Sequence, residues 1–179
     1  MDDIASELGI SKKTIYTHFK TKNDLVDATT MTLFEVISDE INCICDLEKN
    51  PIEEIYDIKQ TIMGHLKNEK MSPQYQLQKY YPKTFNTLKQ KQYDMMQTCV
   101  HHNLERGVKM GVYRESIDIP FISKIYFYTL LTIRNNEYFP LREYSLSELL
   151  EQFYEYHLRG ICTQKGLDIL DKFIKKHHA

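Results

Sequence analysis

Apolar residues in this chain recur every three or four positions, the spacing that lines one face of an α-helix. Leu25, Thr29, Leu33, Val36, Ile37, Ile41 and Ile44 predict a helix over about 22–47. Ile52, Ile55, Tyr56, Ile58, Ile62, Met63 and Leu66 predict the next. A short helix near 73–79 and a long one over about 82–110 follow, the latter carrying Leu88, Val100 and Leu104. Further faces predict helices over about 119–138, 146–162 and 165–176. No segment alternates over a strand's length and no repeat emerges, so the expected fold class is all-α. The expected division is a small N-terminal domain over 1–46 and a larger helical domain over 47–179.

The first 22 residues read differently. Ile4, Ala5 and Leu8 mark one side of a short helix, and Gly9 can take the left-handed conformation that ends it. Ser11 is a natural N-cap for a second short helix, with Ile15 and Phe19 facing inward. Two short helices joined by a tight glycine turn are the helix-turn-helix pattern, whose second helix enters the major groove of DNA. From Gly9 to Asn23 there are lysines at 12, 13, 20 and 22 and no acidic residue. These features fit a DNA reader, and an ordinary helical hairpin would share several of them.

Asp3-Ile4-Ala5, Gly9-Ile10-Ser11, Thr14-Ile15-Tyr16, His18-Phe19 and Lys22-Asn23-Asp24-Leu25 shift the balance toward a DNA reader. In that order they resemble the DNA-binding signature of the TetR family of bacterial transcriptional regulators. Residues 107–114 (GVKMGVYR) resemble a turn in the family's C-terminal domain. The resemblance implies a homodimer on palindromic operator DNA, with a small-molecule effector releasing repression. The alternative is a helical small-molecule-binding or dimerisation module that has lost operator binding. By resemblance, Lys12, Lys13, Thr14, Thr17 and His18 meet base edges or flanking phosphates, while Tyr16 and Lys22 hold the backbone. The chemistry agrees, because lysine and tyrosine suit phosphate and threonine can read a base edge. The family places a further helix before the segment equivalent to 1–5. Its absence here predicts an exposed apolar patch and points to a misplaced start or a shortened copy. If these residues are the whole chain, the DNA-binding domain is expected to be loose.

Resemblance also places Tyr56, Met63, Tyr75, Tyr80, Phe85, Tyr93, Met96, Tyr126, Phe127 and Thr129 on elements that line the family's ligand pocket. Thirteen tyrosines and no tryptophan suit an aromatic or amphipathic effector, since each ring offers an apolar body and one hydroxyl. Each ring could equally be filling core. Apolar residues on more than one side of the last two long helices suggest a dimer surface, with Ile122, Leu130, Leu150, Phe153, Tyr154, His157, Leu158 and Ile161 as its candidates.

Composition trims the remaining classes. Lys+Arg is 23 against Asp+Glu 25, so any DNA footprint must come from local placement of charge. No apolar run approaches a membrane span. The acidic start lacks the apolar core of a secretory signal. Cysteines 43, 45, 99 and 162 lack metal-ligand spacing and read as buried thiols of a reducing cytoplasm. His101-His102 point apart on a helix, and His177-His178 sit in a polar tail. No phosphate-binding, zinc-protease or dinucleotide motif occurs, so neither enzyme activity, a cofactor nor a metal is expected.

Overall fold

The structure, a computed structural model, describes residues 1–66, 73–135, 137–140 and 142–177. The side chains of Leu66, Pro73, Gln74, Lys176 and His177, together with residues 178 and 179, lie outside that description. Among the described residues the regular elements are all helices: α1 (Asp2–Glu7), α2 (Lys12–His18), α3 (Lys22–Asp46), α4 (Pro51–Leu66), α5 (Pro73–Tyr80), α6 (Pro82–Lys109), α7 (Ile119–Ile133), α8 (Leu146–Ile161) and α9 (Gln164–His177).

Local chemistry sets the boundaries. Gly9, at φ +63°, makes the turn between α1 and α2 in a conformation that a Cβ would strain. Ser11 Oγ then accepts the Thr14 amide at 3.0 Å to cap α2. Thr21 and Asp24 form a capping box at the head of α3, and Ser145 and Glu148 form one at the head of α8. The expected helix over 119–138 ends early, at Ile133. Asn135 Oδ1 accepts the Glu137 amide at 2.9 Å, and the Asn135 carbonyl accepts the Tyr138 and Phe139 amides, so the chain turns there.

The long α6 packs against α3, α4, α5 and α7, while α8 bridges α7 and α9, and α9 returns to α4. Ile52, Leu104, Val112, Tyr113, Leu150, Tyr154, Leu158 and Leu170 form the heart of the core. The turn after α6 is part of it. Tyr113 makes an isolated antiparallel bridge with Cys162, which ties the α6–α7 turn to the α8–α9 turn. Its ring lies so close to Gly107 that a Cβ there would sit 1.9 Å from Tyr113 Cδ2.

A buried polar network spans α4, α6 and this turn. Tyr113 Oη donates to Asn103 Oδ1 at 3.1 Å. Asn103 Nδ2 donates to Glu54 Oε1 at 2.8 Å and to the Pro51 carbonyl at 2.9 Å. Arg106 Nη1 pairs with Glu54 Oε2 at 2.7 Å. Each buried side chain of this network therefore has a partner, which is the condition for burying it at tolerable cost.

Candidate functional site

The N-terminal helices bury Ala5 and Ile15 and leave the predicted DNA residues exposed. Lys13, Thr14, Thr17 and His18 are exposed at the three- and four-residue spacing that puts them on one helix face. Thr14 Oγ1 lies 2.8 Å from Ser11 Oγ, and Thr17 Oγ1 donates to the Thr14 carbonyl at 2.6 Å. Tyr16 is exposed, and so is Lys22, the first residue of α3. Lys12 is exposed but paired with Asp2, and that hydrogen bond holds the Asp2 carboxyl below the usual range. So open a pair is worth little and can exchange for a phosphate. Ile4, Leu8 and Ile10 are exposed, the apolar patch expected from the sequence.

The larger helical region encloses a cavity of about 720 Å³ between α3, α4, α6, α7 and α8. Its wall is mainly apolar, with Leu33, Phe34 and Ile37 from α3, Ile55 and Ile58 from α4, Met95 from α6 and Leu130 from α7. Of the ten residues expected at a pocket, Met63, Met96, Tyr126 and Phe127 line it. The other six do not. Tyr56 is core, its ring 4.6 Å from Phe173, and burial pushes its hydroxyl up to about 12. Tyr93 stands behind the wall, edge-on to Phe127 at 5.1 Å. Tyr80 is 59% exposed at the end of α5, with Lys79 Nζ over its ring. Tyr75 and Phe85 are half-buried away from the wall, and Thr129 lines a shallow outer groove instead. A tyrosine hydroxyl needs water or a partner, which draws several of these rings to edges.

Polar groups gather at one part of the wall. Tyr126 Oη donates to Tyr154 Oη at 3.3 Å, and burial pushes both phenols up. Lys59 pairs with Glu151. Burial lowers His157 to about 4, so its imidazole is neutral at ordinary pH. Arg134 lines the same cavity. Sequence reasoning passed over it, although an arginine directly after the apolar run Leu130-Leu131-Thr132-Ile133 was a visible signal.

The dimer candidates mostly face inward in the single chain. Leu130, Leu150, Phe153, Tyr154, His157, Leu158 and Ile161 are buried within the single chain, and Ile122 packs half-buried on that core. A partner can touch only what one chain leaves exposed. The exposed apolar row is instead Phe121 (59%), Ile125 (45%) and Tyr128 (52%) along α7. With Thr129 and Thr132 these residues line the outer groove. Among the described residues no helix is long and apolar enough to cross a membrane.

Comparison with known proteins adds two findings. Residues 1–29 match the family described as bacterial regulatory proteins, tetR family. Among solved structures, the chain is similar to the fatty acid degradation regulator FadR from Bacillus halodurans, with 18% identity and a TM-score of 0.65 over 87% of this chain and 84% of that one. It is also similar to the ketosteroid transcriptional regulator KstR2 of Mycobacterium tuberculosis, with 17% identity and a TM-score of 0.58 over 90% and 84%. A third similar structure concerns the control of antibiotic production by bacterial hormones (13% identity, TM-score 0.60, 90% and 85% covered). No curated protein matches the sequence. At these identities the structural likeness establishes a shared all-α fold, a helix-turn-helix joined to a helical domain.

Proposed function

Because its first 29 residues match the family described as bacterial regulatory proteins, tetR family, we propose that this chain is a DNA-binding transcriptional regulator. In this reading it is a cytoplasmic homodimer that represses from a palindromic operator and is released by a small molecule.

One observation carries the coupling between the two activities. Helix α3 starts at Lys22 beside the DNA-facing side chains, and Thr29, Leu33, Phe34, Ile37 and Ile41 farther along it line the cavity. From Lys22 to Ile37 the helix rises about 22 Å at ~1.5 Å per residue. The boundary at 46/47 therefore separates two regions that α3 serves jointly. An effector that presses on Phe34 and Ile37 tilts a rigid rod whose other end sets α2. In a two-fold dimer this changes the spacing of two recognition helices, which must meet successive major grooves. The exposed apolar row on α7 is the face this reading assigns to the dimer.

Two of the similar proteins regulate fatty acid degradation or bear the name of ketosteroids, and an apolar, amphipathic effector fits this wall as well.

Titration against selected operator and scrambled duplexes at two salt concentrations tests the DNA reading. Lys22→Ala and Tyr16→Phe should weaken both duplexes alike, because phosphates are the same everywhere. Substitution at Thr14 should alter preference between them. Unchanged binding by all three variants would show that α2 does not face DNA.

A further inference from the structure

The cavity wall carries one charge that the protein does not answer. Glu54, Lys59, Arg134 and Glu151 are its formally charged side chains. Glu54 is paired with Arg106 and hydrogen-bonded by Asn103, and Lys59 is paired with Glu151. Among the described residues, no hydrogen bond or ion pair reaches the Arg134 side chain, and its Nε is sealed from solvent without a partner. The groups facing it from α7 and α8 are the hydroxyls of Tyr126 and Tyr154. Burial pulls the guanidinium below its ordinary range, yet an arginine remains protonated at neutral pH with five N–H donors to satisfy. The residue is half-buried, so its charge is drawn partly out of water, which is costly unless it is paired. The cavity therefore combines a long apolar wall with one unanswered cation.

We propose that the cavity binds an amphipathic organic carboxylate, its head on Arg134 beside Tyr126 and Tyr154 and its apolar body along α3, α4 and α6. The inference rests on the cavity being the effector site. The planar fork of a guanidinium matches a carboxylate in a way that neither a hydroxyl nor a cation does. The Tyr154 hydroxyl, which accepts from Tyr126, keeps its own proton to donate to the same head.

Calorimetric titration of the full chain tests this with three probes, dodecanoate and dodecyltrimethylammonium below their micelle concentrations and dodecanol below its solubility limit. Dodecanoate should bind at least about tenfold more tightly than dodecanol, and the cationic probe most weakly. Arg134→Met should erase the preference for dodecanoate while keeping dodecanol binding, which also shows that the variant is folded. Arg134→Lys should retain part of the preference. Equal affinity of wild-type protein for acid and alcohol, or an undiminished preference in Arg134→Met, overturns the proposal and leaves the cavity reading intact. Binding of none of the three probes overturns both.

Discussion

Acid should weaken this fold through one imidazole. His157 is 7% exposed, with the rings of Tyr126 and Phe153 at 5.1 and 5.6 Å. Burial lowers its pKa from 6.5 to about 4. The unfolded chain therefore takes up a proton near pH 6.5, while the native chain resists until about pH 4. The stability that depends on a neutral His157 is intact above the unfolded value and is lost as pH falls through that window. At ~1.36 kcal/mol per unit, the whole shift amounts to roughly 3 kcal/mol, of which about 2 kcal/mol disappears between pH 7 and pH 5. The assay is urea unfolding followed by far-UV circular dichroism, on wild type and His157→Phe, at both pH values. Carboxylates titrate in both proteins and cancel in the difference. A packing cost of the new ring is constant with pH and cancels as well. The variant should gain about 2 kcal/mol relative to wild type on acidification. A gap that stays constant would show that the native imidazole protonates normally, and would refute the burial argument.

Three further outcomes follow from the packing. Gly107→Ala forces a methyl against the Tyr113 ring and should cost about 2–3 kcal/mol in chemical denaturation. Asn103→Leu leaves the Tyr113 hydroxyl, the Pro51 carbonyl and one Glu54 oxygen unpaired, and should cost about 3 kcal/mol or more by the same measurement. Tyr128→Glu, placed on the exposed α7 row, should give a folded monomer in sedimentation velocity, whereas Leu150→Glu should lose the fold itself.

The sequence carried the helices because amphipathic periodicity reports which side of each segment faces a core. It gave α3 and α6 almost to the residue, through Lys22 at one start and Pro82 at the other. It overran α7, because Tyr138 and Phe139 continue the apolar spacing beyond the point where Asn135 turns the chain. Periodicity cannot say which of two apolar surfaces turns inward. The Leu150, Phe153 and Leu158 stripe thus resembled an interface although it fills the chain's own core. The pocket was similarly blurred. Tyrosines drew attention as aromatic rings, but the space between helices is walled mostly by aliphatic and methionine side chains that look like ordinary core in a sequence. Arg134 becomes meaningful only when its neighbours leave it unpaired.

Selection from a random duplex pool, using this chain as bait and repeated with Lys22→Ala, puts the central claim to its most direct test. A regulator whose α2 reads DNA as part of a two-fold dimer should enrich a palindrome, with half-sites about one helical turn or more apart. The Lys22→Ala protein should enrich the same palindrome more weakly, because the lost contact is to phosphate. A pool that remains random after repeated rounds with the wild-type chain would contradict the account.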